Sequence, residues 1–243
     1  MASIFMSKQR LLLLKLFISF VPILFALLML YLKIARNDFY RAIIHEDAII
    51  ENLTSIAYFA AFIFALTVSV GFLRRKYLFR SLAYLILSLG FFFVSMEEIS
   101  WGQRIFHIGT PKFVEKYNVQ KENNIHNLSL IKPFLGEMYI LTGLIGCCSW
   151  LFIGNNIRRK YNDVVEYFVP GWYLSPYFLF IVLITGYMEL LDKLPWLKPR
   201  SSTFFRWTDS EPAELLLSLG FLLFVIVNRY KQHRMDWRQS AQM

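Results

Sequence analysis

Six long apolar blocks follow one another along the chain, and its polar residues lie between these blocks rather than in one stripe along each. A helix rises ~1.5 Å per residue, so about 20 apolar residues cross the ~30 Å of a hydrocarbon layer, and each block reaches or approaches this length. The predicted spans cover residues 11–32, 53–73, 82–96, 138–153, 172–191 and 213–227. The pattern predicts an all-α, polytopic transmembrane helical bundle, with residues 1–243 forming a single integral membrane domain.

Two of the six blocks, the third and the fourth, are short for a membrane span. We therefore expect both helices to extend into the interfaces, where Trp101 and Trp150 are candidate anchors. The first block is longer than the apolar part of a signal peptide, and no small-residue cleavage site follows it, so we interpret it as a retained anchor. The longest polar stretch, residues 100–137, is predicted to be an outer loop.

Composition and charge agree with a membrane protein and set its orientation. The chain is 56% hydrophobic, which excludes an ordinary soluble domain. Its net charge of +9 is unevenly distributed: if the N-terminus is cytoplasmic, the inner segments contain 14 of the 26 Lys and Arg residues but only 3 of the 17 acids. The positive-inside rule then predicts six spans with both termini in the cytoplasm. The basic clusters are interpreted as contacts with membrane lipids, not with nucleic acid.

Acidic residues flank several spans, and alternation of the spans brings them to the outer side. They are Glu51, Glu97, Glu98, Glu137, Glu189, Asp192, Glu211 and Glu214. Glu51, Glu211 and Glu214 lie at helix N-termini, where the helix dipole favours a carboxylate by about 0.3–1 kcal/mol. Glu97 and Glu98 lie at the opposite end of a helix, so the dipole does not explain them. Carboxylates beside hydrocarbon need a partner, a proton, a metal ion or water.

The third helix carries the most specific local pattern. If it continues past the membrane boundary, Glu97, Trp101 and Arg104 share one face, and Arg104 neutralises Glu97. Glu98 then lies on an adjacent face. The segment from Asn118 to His126 alternates with period two; if extended, it presents a row of hydrogen-bonding side chains that ends in an imidazole. Two interpretations remain open for this segment: a lid over the helix ends, or a polar loop in water.

These motifs carry a resemblance. The run Glu-Glu-Ile-Ser-Trp-Gly-Gln-Arg at 97–104, then Thr110-Pro111, then Asn-x-Gln-x-Glu-x-Asn-x-His-Asn at 118–127, resembles a family of uncharacterised bacterial polytopic membrane proteins. The resemblance extends to Glu46-Asp47 through Glu51 and to the Glu211/Glu214 pair. It implies a bacterial plasma (inner) membrane and a shared site, and the topology predicted from charge puts that site on the extracytoplasmic side. It implies no particular reaction.

The acids and the imidazole suggest a metal-dependent hydrolase or transferase that acts on a lipid or lipid-linked substrate. The predicted metal ligands are Glu98, His126, Glu211 and Glu214, which suit Zn²⁺, Mn²⁺ or Mg²⁺. The predicted catalytic residues are Glu97, Glu98, Glu51 and Arg104. The predicted substrate-binding residues are Gln103, Asn118, Gln120, Glu122, Asn127 and Arg206.

Two other functions fit the same residues. Acids at helix ends also serve proton- or cation-coupled carriers, although carriers commonly place their sites near the membrane midplane. The outer loops suit a non-catalytic envelope assembly protein that binds a partner. The sequence therefore predicts a site but leaves its chemistry open.

Overall fold

The computed structural model describes residues 7–45, 48–103, 105–118, 122–154, 160–194 and 207–240. These residues fold into helices and contain no strand; the only β-type contact within them is an isolated bridge between Asn118 and Leu128. Six helical stretches are long and apolar enough to cross a membrane, which confirms the predicted multi-pass helical bundle.

The α-helices of the described residues are α1 (Lys8–Ala35), α2 (Asn37–Ile44), α3 (Ile49–Arg74), α4 (Leu78–Glu98), α5 (Lys112–Tyr117), α6 (Leu135–Cys148), α7 (Asn162–Phe168), α8 (Ser175–Lys193) and α9 (Glu211–Ser240). The membrane spans are built on α1, α3, α4, α6, α8 and α9. As expected for the two short blocks, α4 extends to 21 residues, and 3-10 turns at Lys132–Phe134 and Ser149–Leu151 lengthen α6 at both ends.

Helix α9 is the centre of the bundle. It packs against α3 on one side and α8 on the other, while α4 pairs with α3 and α6 pairs with α8. Large side chains that are almost fully buried, among them Phe72, Phe178, Ile181 and Leu217, fill the space between these helices. Helix α1 lies at the periphery, contacts mainly α2 and α8, and leaves most of its leucines exposed to the surroundings.

Small polar side chains hold α3 against α4. The Ser55 hydroxyl donates to the Ser95 carbonyl over 2.9 Å, and the Ser95 hydroxyl donates to the Ser55 carbonyl over 2.9 Å. Nearer the other end of the pair, the Ser69 hydroxyl donates to the Ser81 carbonyl over 2.7 Å. Small residues let membrane helices approach closely, and their hydroxyls then bond across the contact. The register of α4 on α3 is thereby fixed, and with it the position of Glu97 and Glu98.

Glycines hold α6 against α8. A Cβ added to Gly143 would lie 2.5 Å from a methyl of Val182 and 2.8 Å from the backbone carbonyl oxygen of Phe178. A Cβ added to Gly146 would lie 2.2 Å from the Phe178 ring. These separations leave no room for a side chain, so both glycines are required for the close approach of the two helices.

The opposite end of the bundle is closed by a buried polar network around Asn228 of α9. The Asn228 amide donates to the Tyr84 hydroxyl over 2.7 Å and to the Tyr167 carbonyl over 3.0 Å. The Lys231 ammonium group donates to the Asn228 side-chain oxygen over 2.9 Å. This network ties α4, α7 and α9 together, so the helices are fixed at both ends.

We predict that Gly143→Ala destabilises the protein by about 1–3 kcal/mol, because the new methyl group meets both a side chain and the backbone of α8. Gly186→Ala, in α8 itself, is the matched control, since nothing lies within 4 Å of its added Cβ. The check is the thermal midpoint of the detergent-solubilised protein. Equal midpoints for Gly143→Ala and the unsubstituted protein would contradict the α6–α8 packing.

Candidate functional site

Glu97, the next-to-last residue of α4, is the carboxylate over which the loop at residues 122–127 closes. It is only 3% exposed. One oxygen accepts a hydrogen bond from the Trp101 indole nitrogen over 2.5 Å. The other accepts from the backbone amides of Ile125 and His126 over 2.6 and 2.9 Å. Hydrogen bonds to a carboxylate are short and stronger than those between neutral groups. The loop therefore supplies the donors that a carboxylate needs beside hydrocarbon.

Helix α4 ends at Glu98 and the chain then turns, so the condition on which Glu97, Trp101 and Arg104 would share one helical face is not met. Ser100, Trp101 and Gly102 have φ values of 47°, 54° and 74°. Three consecutive residues in the left-handed region turn the chain sharply, and only glycine adopts this region without a steric penalty. Trp101 still reaches Glu97, but from this turn. Arg104, the predicted partner of Glu97, lies outside the described residues.

The segment from Asn118 to His126 was predicted to present one row of side chains only if it is extended. Asn118 forms the isolated bridge with Leu128, and residues 122–127 contain bends and turns, so the described part does not meet this condition. The Asn118 side-chain amide donates to the carbonyl oxygen of Asn124 over 2.8 Å and to its side-chain oxygen over 2.9 Å. Both asparagines are buried. Their side chains therefore close a compact loop and hold its shape; Gln120 lies outside the described residues.

This compact loop is attached to the turn that follows α4. The Ser100 hydroxyl donates to Glu122 over 2.9 Å, and the Asn124 side-chain amide donates to the same Glu122 oxygen over 2.8 Å. The backbone amide of Asn123 donates to the Gln103 side-chain oxygen over 2.7 Å. Residues 122–127, held by Asn118, thus cover the end of α4, in agreement with the lid interpretation. Within the described chain, three of the predicted substrate-binding residues (Gln103, Asn118 and Glu122) hold this loop in place.

His126 lies beside Glu97. Its Nδ1 is 3.3 Å from a Glu97 oxygen, and its Nε2 is 3.1 Å from the side-chain nitrogen of Asn127. An amide nitrogen only donates, so Nε2 is the acceptor and the ring proton of the neutral imidazole is on Nδ1, facing Glu97. Both ring nitrogens are thus engaged within the loop, as is the side chain of Asn127, another predicted substrate-binding residue.

Glu98 faces a different set of groups. Its carboxyl group interacts electrostatically with Glu214 of α9 and Glu51 of α3, and also with the neighbouring Glu97. The hydroxyls of Tyr58 and Tyr139 lie in the same field, since each interacts with both Glu98 and Glu214. We call Glu51, Glu98, Glu214, Tyr58 and Tyr139 the carboxylate cluster. The structure thereby brings together three of the predicted site residues from three different helices.

The members of the carboxylate cluster differ in how firmly they are held. Glu214 is buried and accepts hydrogen bonds from the hydroxyls of Tyr139 and Ser210, each over 2.7 Å. Glu98, by contrast, makes no hydrogen bond to another described residue. Its carboxyl group is available to a proton, a cation or a substrate, whereas the Glu214 carboxylate is fixed in position.

A second buried polar group lies on the other side of the start of α9. The Lys33 ammonium group is 2.6 Å from a carboxylate oxygen of Asp209, and the Tyr40 hydroxyl donates to the other oxygen over 2.9 Å. All three residues are at least nine-tenths buried. Local sequence patterns do not predict this group, because its members come from three distant segments. A lysine at the end of the first apolar block was the only signal for it.

The other acids that flank the spans in the described chain are not gathered around Glu98. Glu211 begins α9 and is half-buried, and Arg206 lies outside the described residues. Glu137 and Glu189 instead form ion pairs with the exposed Lys193, over 2.9 and 3.2 Å. No group of three or more His, Cys, Asp or Glu side chains in the described part of the chain is arranged to hold a metal ion. The metal set Glu98, His126, Glu211 and Glu214 stays a prediction.

Comparison of the chain with protein-family models, with curated proteins and with solved structures gave no match. The fold and the geometry of the site therefore carry the functional argument.

We predict that Glu97→Gln loosens the loop, because a neutral amide cannot replace a carboxylate that accepts from three N–H groups. Each hydrogen bond to a charged group contributes about 1.5–3 kcal/mol, so amide protection should fall roughly tenfold or more. Hydrogen–deuterium exchange of peptides covering residues 122–131 measures this change.

Glu98→Gln is the control for that experiment, because the adjacent carboxylate makes no hydrogen bond to the described part of the loop. Exchange in residues 122–131 should match that of the unsubstituted protein. Equal exchange in both variants would show that Glu97 does not hold the loop.

Proposed function

We propose that this protein is an integral membrane enzyme, a hydrolase or transferase. It acts on a lipid or lipid-linked substrate at the end of the bundle where the carboxylate cluster lies. The observation that carries the proposal is the pairing of an available carboxyl group, Glu98, with a fixed one, Glu214, that binds a tyrosine hydroxyl. The available carboxyl group can accept a proton, and the tyrosine hydroxyl held by the fixed carboxylate can donate one. The cluster lies where a lipid headgroup meets the protein.

The proposed reaction moves one proton in a cycle. Glu98 takes a proton from water or from an acceptor hydroxyl, whose oxygen attacks the ester or phosphoester carbon or phosphorus of the substrate. The bond from that atom to the leaving oxygen breaks, and the leaving oxygen takes a proton from the Tyr139 hydroxyl. The proton on Glu98 then returns to Tyr139. Glu214 keeps the tyrosine hydroxyl in position, and Glu51 adds negative charge beside Glu98.

The loop over Glu97 gives the proposed site its cover. Glu97 is fully occupied by its hydrogen bonds to Trp101, Ile125 and His126, so its role in this proposal is to hold the loop rather than to exchange protons. A held loop beside the carboxylate cluster limits the access of bulk water, which strengthens electrostatic interactions inside a site. Glu97 is therefore a positioning residue.

The proposal places the carboxylate cluster on the extracytoplasmic face of a bacterial plasma membrane, which the excess of basic residues in the opposite segments supports. We expect an alkaline phosphatase reporter fused after Leu130 to be active, since this enzyme requires export. A fusion after Lys76, in the turn between α3 and α4, should be inactive. The reverse pattern would place the site in the cytoplasm.

We predict that Glu98→Gln lowers turnover by about 10²–10⁴-fold, the usual contribution of a general acid–base group. The assay is lipid mass spectrometry after the purified protein is incubated with vesicles of bacterial polar lipids. Glu137→Gln is the matched control, because Glu137 is exposed and pairs only with the surface residue Lys193 among the described side chains. Its turnover should equal that of the unsubstituted protein.

Two outcomes would overturn the enzyme proposal. Full lipid turnover in Glu98→Gln would remove Glu98 from the reaction. Absence of any lipid product, together with gradient-driven cation uptake into vesicles that Glu98→Gln abolishes, would instead identify the carboxylate cluster as the binding site of a proton- or cation-coupled carrier.

A further inference from the structure

A cavity of about 290 Å³ lies between the peripheral helix α1 and the central helices α8 and α9. Its walls are almost entirely apolar, and Lys33, Tyr40 and Asp209 are the polar residues that line it. The volume is close to the lower end of the range for small-molecule sites, ~300–1,000 Å³. Neither the carboxylate cluster nor the loop over Glu97 contributes to its lining.

The length and direction of the cavity match one leaflet of a bilayer. Its lining on α1 extends from Ile23 to Lys33. Ten residues of helix correspond to about 15 Å at ~1.5 Å per residue, and half of the ~30 Å hydrocarbon layer is the same length. Ile23 lies near the middle of α1, and Lys33 lies near its C-terminus. The polar end of the cavity therefore faces the interface, and its apolar end faces the membrane centre.

The cavity is open toward the lipid. Ile23, Leu27 and Leu30 line it, and they are also 38%, 57% and 43% exposed on the surface of α1. A chain within the bilayer can therefore pass between these residues without crossing the polar surface of the protein. On the inner side, the wall is formed by buried residues of α9, among them Ala213 and Leu216.

The polar end has the groups that a lipid's polar linkage requires. The Lys33 ammonium group and the Tyr40 hydroxyl are hydrogen-bond donors, and the Asp209 carboxylate is an acceptor. All three are at least nine-tenths buried, which is expensive for charged groups at a membrane boundary unless they are paired or have a functional role. An ion pair at one end of an otherwise apolar, leaflet-long cavity corresponds to the amphiphilic character of a lipid.

We propose that this cavity binds one hydrocarbon chain of a membrane lipid from the leaflet on the same side as the carboxylate cluster. The polar linkage of the lipid then lies at Lys33, Tyr40 and Asp209. Asp209 directly precedes Ser210, whose hydroxyl donates to Glu214 of the carboxylate cluster. The polar end of the cavity thus lies at the same end of α9 as the carboxylate cluster. That this lipid is the substrate rests on the proposed function; that the cavity holds a lipid chain does not.

The test uses phosphatidylglycerol with a diazirine near the methyl end of one acyl chain, in vesicles that contain the purified full-length protein. After irradiation, mass spectrometry should locate the label on α1 and α8 near Ile23 and Phe180, at the apolar end of the cavity. Ala26→Phe places a ring in the cavity and should reduce this labelling roughly tenfold. Ala35→Phe is the matched control, because Ala35 is exposed on the same helix and does not line the cavity.

Leu27→Trp gives a second variant with a bulky residue at the exposed rim, where folding is least affected. Equal labelling of the unsubstituted protein, Ala26→Phe and Leu27→Trp, or label spread evenly over the lipid-facing residues of α3 and α4, would overturn the lipid site. Glu98→Gln should be labelled like the unsubstituted protein. If the unsubstituted protein is labelled at the cavity but neither it nor any variant turns over lipid, the lipid site stands and the enzyme proposal is removed.

Discussion

A carboxylate at the edge of a hydrocarbon layer has to obtain its hydrogen bonds from the protein, because lipid tails offer none. Glu97 meets this requirement by drawing the amides of Ile125 and His126 and the Trp101 indole onto the end of α4. The shape of the outer loop follows from that requirement. The turn after α4, the paired asparagines and the orientation of His126 are all arranged around this one buried charge.

The adjacent residues Glu97 and Glu98 are separated in role by helix geometry. Neighbouring side chains on a helix point about 100° apart, so one faces the loop while the other faces the interior of the bundle. Glu97 is saturated with donors, whereas Glu98 has like charges as its neighbours. The serine contacts between α3 and α4 fix the rotation of α4 and thereby keep this division. A single dipeptide thus serves both the cover and the centre of the candidate site.

Hydropathy alone was sufficient to predict the six spans, because burial in lipid demands about 20 apolar residues whatever the details of packing. Alternation of the spans then predicted that Glu51, Glu98 and Glu214 gather at one end. The turn at Ser100–Gly102 was beyond such reasoning, since nothing in the local pattern opposed a longer helix. Its left-handed backbone depends on contacts with Glu122 and Asn124, more than twenty residues away. The Lys33–Asp209 pair was missed for the same reason: its partners meet only in the folded bundle.

The distance along the chain between Glu97 and its donors also bears on the order of events during synthesis. His126 is 29 residues downstream, so α4 leaves the ribosome before the groups that will satisfy its terminal carboxylate exist. Until these groups have been synthesised, this end of α4 is best solvated by water or lipid headgroups, and the helix cannot settle at its final depth. Docking of the segment that follows α4 would then release the helix to its final position. Maturation of the site would thus be coupled to the synthesis and docking of its own cover.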